Sequence, residues 1–102
     1  MYGVITTIPA PVAMYDGMHA EMIRRGGTAI DGLLVHVGRA TTEGFEVLEV
    51  WESKDQYDRA NTDIVLPMMQ ELAGDQPALS IEQATEAFDL HGLVIPRADI
   101  AV

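Results

Sequence analysis

The chain has 102 residues, 48% of them apolar, and its 16 acidic side chains outnumber the 6 basic ones to give a formal net charge of −10. This length and apolar share predict one folded domain over residues 1–102 and exclude a disordered chain. The acidic balance excludes nucleic acids and anionic membrane surfaces as partners, because both are bound through clustered Lys and Arg, and the absence of cysteine excludes disulfides and thiolate chemistry.

The first quarter of the sequence predicts a strand followed by a helix. Residues Met1–Ile8 are rich in β-branched and aromatic side chains, and Pro9 ends the run by removing a backbone donor. From Pro11 to Arg25 the apolar residues recur with helical spacing, and Gly26-Gly27 predicts the end of the helix. The apolar stripe of this helix consists of Tyr15, Met18 and Met22.

A β-hairpin and a second helix are predicted next. Two strand-like segments, Gly32–Arg39 and Phe45–Glu52, are separated by the polar residues 40–44. Ser53 and Gln56 then have the spacing of a capping box, and a helix is predicted over 54–73.

Proline and glycine mark the end of the second helix. Pro67 predicts a kink or a restart within it, because proline clashes with the preceding turn. The segment Gly74–Pro77 predicts its end, and an imperfect alternation predicts a last strand between about Glu82 and Val94.

This order of elements predicts the fold class. The order β-α-β-β-α-β is that of ferredoxin-like α+β domains, in which right-handed crossovers place two helices on one face of a four-stranded antiparallel sheet. The other face needs a cover in a chain this short, and a second copy of the same sheet provides one, so we expect a homodimer. No apolar run approaches the ~20 residues of a membrane span and the first basic residue is Arg24, which together predict a cytoplasmic protein.

The predicted hairpin brings a carboxylate and an imidazole together. A turn over 41–44 makes three cross-strand pairs on one sheet face, namely Ala40 with Phe45, His36 with Glu49, and Leu34 with Trp51. A partly shielded carboxylate beside histidine is suited to general acid/base chemistry, so His36 and Glu49 are the catalytic candidates. The alternative is an exposed ion pair with no catalytic role.

A small apolar ligand is the expected partner of this face. Trp51 ends its strand beside the start of the second helix, and His19 lies at the edge of the first helix's stripe, where it could point into a cleft. The candidate substrate-binding residues are Trp51, Leu34, His19, Tyr15, Met18 and Met68. Ordinary core packing is the alternative for the tryptophan and the methionines, and a solvated boundary position is the alternative for His19.

Neither a metal nor a cofactor is predicted from the residues. His19, His36 and His91 come from separate elements, and no pair has a short ligand spacing such as HxH or HxxxH. The sequence also lacks a glycine-rich phosphate loop and a GxSxG elbow.

The segment FEVLEVWESKDQYDRA resembles the matching segment of the dimeric α/β-barrel superfamily, which includes the antibiotic biosynthesis monooxygenase-like proteins. The specific part of the resemblance covers Gly44–Arg59 and the preceding His36-Val37-Gly38. It implies a pocket between sheet and helices, with Trp51 near the bound ligand. Members of the superfamily include cofactor-independent oxygenases acting on polycyclic phenols, haem-degrading enzymes and small-molecule isomerases.

Two departures from the family pattern narrow the expected activity. Haem-degrading members use a histidine on the second helix as iron ligand, whereas residues 54–73 contain none. Those enzymes and some oxygenases place an asparagine on or near the first strand, where this chain has Thr6 and Thr7. The resemblance implies a cofactor-independent, monooxygenase-like enzyme that acts on an apolar aromatic substrate. The alternative is a dimer that binds a ligand or assists another enzyme without catalysis. A third possibility is a dimer with a purely structural role.

Overall fold

The computed structural model describes residues 1–26, 30–73 and 84–101. Four strands form one antiparallel sheet in the order β2-β3-β1-β4, and a two-stranded hairpin follows it. In chain order the elements are β1 (Tyr2–Ile8), α1 (Val12–Arg25), β2 (Leu33–Ala40), β3 (Phe45–Trp51), α2 (Lys54–Ala60), a π-helical turn (Asn61–Val65), α3 (Leu66–Ala73), β4 (Ala84–Asp89), β5 (Val94–Ile95), a 3-10 turn (Pro96–Ala98) and β6 (Ile100–Ala101).

Both helical segments pack on the same face of the sheet. Phe45 and Trp51 lie six residues apart in β3, so their side chains share a face. The Phe45 ring contacts Tyr15 of α1 and the Trp51 ring contacts Tyr57 of α2, each with ring centroids 5.7 Å apart. The predicted α+β ferredoxin-like fold, with a four-stranded antiparallel sheet and the helices on one face, is therefore confirmed.

The core lies between the helices and the two central strands. Its buried apolar side chains are Val4, Ile8, Phe45, Trp51 and Met68. Val50 is also buried, but it alternates with Trp51 along β3 and lies on the other sheet face. A further link ties the helices together, because the Arg25 guanidinium of α1 forms ion pairs with Glu21 and with Glu71 of α3. No helix within the described residues is long and apolar enough to span a bilayer.

The helix after the hairpin begins as predicted and is interrupted in the middle. The Ser53 hydroxyl accepts the Gln56 backbone N–H at 3.3 Å, which caps the first turn. The predicted interruption near Pro67 takes the form of the π-helical turn, in which the Leu66 N–H donates to the Asn61 carbonyl. Proline removes one backbone donor and clashes with the carbonyl four residues before it, and the wider turn accommodates both effects.

The C-terminal part of the chain differs in detail from the prediction. The last strand of the main sheet is Ala84–Asp89, which pairs with β1 and ends five residues before the predicted limit at Val94. The predicted start at Glu82 lies outside the described residues. Residues beyond it form a small hairpin of β5 and β6, which the sequence did not indicate because two-residue strands carry no readable alternation. The predicted helix end at Gly74–Pro77 lies outside the described residues.

Candidate functional site

The hairpin register places His36 opposite Glu49, as predicted. Ala40 pairs with Phe45 across the turn, and the Thr41 N–H donates to the Gly44 carbonyl at 2.9 Å to close it. His36 Nδ1 lies 2.7 Å from Glu49 Oε2, and each side chain is 17% exposed. The pair is therefore shielded from solvent, unlike the exposed ion pair considered as the alternative, while its catalytic role stays a prediction.

The predicted pairing of Leu34 with Trp51 is wrong. A β-bulge lies between Leu33 and Val35, so that Leu33 pairs with Trp51 and Val35 pairs with Val50. A bulge places two residues opposite one and shifts which side chains face the helices. Leu33 consequently takes the position on the helix face that was expected for Leu34.

Helix α1 adds two side chains to the histidine–carboxylate pair. Tyr15 Oη lies 3.0 Å from His36 Nε2 and 3.4 Å from His19 Nδ1. The three rings are nearly parallel, with interplanar angles of 10° to 16°. Glu49, His36, Tyr15 and His19 thus form a continuous hydrogen-bonded chain, which we call the relay cluster.

A glycine in β2 makes room for the tyrosine. A Cβ atom placed on Gly38 would lie 2.2 Å from Cζ of Tyr15, so the ring rests directly on the strand backbone. Glycine within a strand often marks such a close approach. Gly38 thereby fixes the position of the Tyr15 hydroxyl relative to His36.

Burial keeps the Tyr15 phenol protonated. Its pKa lies above the ordinary value of 10.0, first because burial disfavours the phenolate and then because Asp16 and Glu49 repel negative charge there. A protonated phenol both donates and accepts one hydrogen bond, so Tyr15 can bridge the two histidines.

An open cleft of about 580 Å³ borders the relay cluster. That volume lies within the range of small-molecule sites. His19 and His36 contribute its polar wall, and the rest of the lining described is Met22, Ile23, Gly26, Ile30 and Leu33. The cleft is therefore an apolar site with two imidazoles at one side.

Several predicted ligand-binding residues lie away from this cleft. Tyr15 bridges the two histidines behind its wall, Met68 is only 1% exposed in the core, and neither Met18 nor Leu34 is part of the lining. Met22 belongs to the helical stripe, but helical spacing alone does not show that it lines the cleft. Leu33 could not be identified from periodicity because its position depends on the bulge.

Trp51 borders a second, much smaller cavity. This space of about 20 Å³ is enough for a water molecule. Its lining includes Glu49, Asn61 and three residues shared with the cleft, namely Met22, Ile30 and Leu33. Trp51 thus lies one layer of side chains behind the cleft, at 3% exposure, rather than at its centre.

The Trp51 indole is an unsatisfied donor. Its Nε1 is buried and has no hydrogen-bond partner among the described residues. Buried polar atoms of this kind are rare and call for a partner such as water or a ligand oxygen. Asn61, at the start of the π-helical turn, lines the same cavity, so the turn adds a polar side chain that the sequence did not single out.

The described residues hold no cluster of three or more His, Cys, Asp or Glu side chains suited to a metal ion. Glu49 and His36 instead bond to each other, and His36 also bonds to Tyr15. The contacts within the relay cluster are hydrogen bonds between side chains.

Comparison with protein-family models and with curated proteins finds no match. Solved structures do match over nearly the whole chain. The monooxygenase ActVA-Orf6 of Streptomyces coelicolor, solved with the ligand nanaomycin D, has a TM-score of 0.57 and 22% identity, covering 93% of this chain and 91% of that chain. SnoaB, a cofactor-independent oxygenase from Streptomyces nogalater, has a TM-score of 0.58 and 15% identity, covering 93% and 94%.

A haem-degrading protein shares the same fold. MhuD of Mycobacterium tuberculosis, solved with two haems in its active site, has a TM-score of 0.54 and 13% identity, covering 88% of this chain and 95% of that chain. The resemblance to antibiotic biosynthesis monooxygenase-like proteins is thus confirmed for the fold.

Proposed function

We propose that the protein is a cofactor-independent, monooxygenase-like enzyme that binds an apolar aromatic phenol in the cleft beside α1 and removes a proton from it. The observation that supports this most directly is the His36–Glu49 pair, joined at 2.7 Å and shielded at the wall of an apolar cleft. The carboxylate orients the imidazole and stabilises the imidazolium that forms when the base accepts a proton. The fold shared with two oxygenases is supporting evidence by analogy.

The proposed reaction needs only dioxygen as co-substrate. Removing a proton from a phenol or its keto tautomer gives an electron-rich anion, which dioxygen can oxidise. For anthrone the balanced reaction is anthrone plus O₂ giving anthraquinone plus water, so one oxygen atom enters the product and the other leaves as water. The protein's part is to bind the rings, hold the proton and exclude bulk water.

The residues fit haem degradation less well than they fit cofactor-independent oxidation. Haem-degrading proteins of this fold carry a histidine iron ligand on the second helix. The corresponding segment here, 54–73, contains no histidine. His36 has both ring nitrogens engaged, by Glu49 and by Tyr15. We therefore propose no step through haem.

The test is oxygen uptake by the purified protein with anthrone and with a hydroquinone. We expect catalysed oxygen consumption and quinone absorbance above the buffer rate. Absence of both over a broad panel of phenols would contradict the proposed enzyme. Quenching of the Trp51 fluorescence without turnover would instead identify a binding or accessory protein.

Trp51→Phe is expected to raise the KM for anthrone about 2- to 10-fold while the fold is kept. The substitution removes the Nε1 donor, which we propose bonds the ligand through a water molecule in the small cavity, and a hydrogen bond contributes ~0.5–1.5 kcal/mol. Phenylalanine preserves part of the ring packing against Tyr57. The measurement is the substrate dependence of oxygen uptake, with urea unfolding to show that the variant is folded. An unchanged KM would exclude the indole N–H from ligand binding.

We also propose that the chain forms a homodimer through the sheet face opposite the helices. The strand registers place Ile5, Val37, Leu48 and Phe88 on that face. Val37 is 51% exposed, and Phe88 lies flat against Gly3, where a Cβ would be 2.4 Å from the ring. A contiguous apolar sheet face of this kind is typical of an interface.

Val37→Asp is expected to convert this dimer into a monomer of 11.1 kDa. A carboxylate within an apolar interface would be desolvated without a partner. Leu66→Asp is the matched control, because Leu66 is 58% exposed but belongs to the helical layer. Light scattering at micromolar concentration measures the mass. A monomeric parent protein, or a dimeric Val37→Asp variant, would contradict this interface.

A further inference from the structure

The available donors and acceptors fix the direction of every hydrogen bond in the relay cluster. The Glu49 carboxylate only accepts, so His36 Nδ1 carries a hydrogen and donates it across 2.7 Å. In a neutral imidazole the other nitrogen, Nε2, then accepts, and its partner at 3.0 Å is the Tyr15 hydroxyl. The single phenolic hydrogen is used there, so the contact with His19 Nδ1 at 3.4 Å must be donated by His19.

With these hydrogen-bond directions, one imidazole nitrogen keeps a free lone pair, and this nitrogen does not belong to His36. With its hydrogen on Nδ1, His19 has a lone pair on Nε2, and His19 is part of the cleft wall. His36 also borders the cleft, but its Nε2 is occupied by Tyr15. The open proton acceptor of the cluster is therefore His19 Nε2.

A second arrangement of the same bonds holds one more proton. A proton added at His19 Nε2 allows the His19 Nδ1 hydrogen to move to Tyr15 Oη and the phenolic hydrogen to move to His36 Nε2. His36 is then an imidazolium paired with the Glu49 carboxylate, Tyr15 donates to His19 Nδ1, and His19 has changed tautomer. Each heavy-atom contact in the chain is kept, and every polar atom that was bonded in the first arrangement is bonded in the second.

We infer that Tyr15 couples His19 to His36 as a proton relay, in which His19 Nε2 takes the proton from the ligand and the His36–Glu49 pair stores it. Tyr15 is a positioning and proton-transferring residue, and His19 is the group that touches the ligand. The ligand loses one proton and His36 gains one, so the step is balanced and the charge rests beside Glu49 rather than beside the ligand anion. The statement that the ligand supplies the proton rests on the proposed function. The coupling between the two histidines does not rest on it.

The surroundings of the cluster disfavour an ionised Tyr15. The charged groups acting on Tyr15 are Asp16 of α1 and Glu49 of β3, both negative, and Tyr57 of α2 is a further titratable group near Glu49. Negative charge near the Tyr15 hydroxyl disfavours a phenolate there. Tyr15 therefore passes a hydrogen on without remaining ionised. The 3.4 Å contact is long, as catalytic hydrogen bonds often are before a ligand binds.

The test is ¹⁵N NMR of the histidine ring nitrogens in the ligand-free full chain, with signals assigned from single His→Gln variants. At alkaline pH we expect the hydrogen of His19 on Nδ1. When the cluster takes up one proton, we expect the hydrogen of His19 on Nε2, and both ring nitrogens of His36 should become protonated over the same pH range. In Tyr15→Phe, which keeps the ring, the His19 tautomer should no longer follow His36. The control Tyr2→Phe, which removes a distant hydroxyl, should behave like the parent protein.

Two results would overturn the relay. One is a His19 tautomer that is the same at both ends of the titration in the parent protein; the other is a tautomer change that survives in Tyr15→Phe. Both are read without substrate, so they are separate from the oxygen-uptake test. A relay seen by NMR in a protein that does not oxidise anthrone would refute only the proposed reaction, whereas oxidation without the tautomer change would refute only the relay.

Discussion

Gly38→Ala is expected to lower the free energy of unfolding by ~1–3 kcal/mol, the usual range for an overpacked site. The added methyl would lie 2.2 Å from Tyr15 Cζ, closer than any van der Waals contact, so the ring must move away from β2. Movement of the ring also pulls the hydroxyl from His36, which it contacts at 3.0 Å. Urea unfolding at fixed protein concentration measures the loss.

Gly17→Ala is the matched control for this substitution. Gly17 lies in α1, and a Cβ there meets nothing within 4 Å. Alanine is favoured over glycine in a helix by ~0.5–1 kcal/mol, so this variant should be more stable than the parent. A second test combines Gly38→Ala with Tyr15→Ala: once the ring is gone, the added methyl should have little further effect, giving a coupling energy between the two sites. Additive effects would show that the ring does not rest on the strand.

The hairpin was readable from the sequence because its register depends on local chemistry. The polar residues 40–44 limit the turn to a few lengths, and one correct pair then fixes all pairs up to the next irregularity. His36 opposite Glu49 lies within that range, and Leu34 does not. The bulge near the start of β2 depends on how that end of the strand packs, and the alternation of apolar residues in the sequence does not predict it.

The contacts made by α1 could not be predicted, since they join residues far apart in the chain. Tyr15 and His36 are 21 positions apart, and helical spacing shows only that Tyr15 and His19 share a face. One signal was present, because a glycine inside a strand suggests close approach of another group, and Gly38 is such a residue. The position of Trp51 behind the cleft could not be predicted either, because the sequence pattern identifies an apolar face but not the cavities beside it.

Glu49→Gln is expected to lower kcat/KM for anthrone oxidation by about 10²- to 10⁴-fold, the range that general acid/base groups contribute. The amide keeps the size of the side chain and can still accept the His36 Nδ1–H, so His36 should stay in place. It carries no charge, however, and cannot stabilise an imidazolium at 2.7 Å. The relay would then lose its storage site while the cleft keeps its shape.

Glu46→Gln separates this effect from a general loss of charge. Glu46 lies in the same strand on the opposite sheet face, where it pairs with the exposed Arg39 at 3.2 Å. Exposed pairs of this kind contribute little, so kcat/KM should stay within about 2-fold of the parent value. Oxygen uptake at subsaturating anthrone measures both variants under one condition. If Glu49→Gln matched Glu46→Gln, the His36–Glu49 pair would be a structural contact and would not store the proton that His19 takes from the ligand.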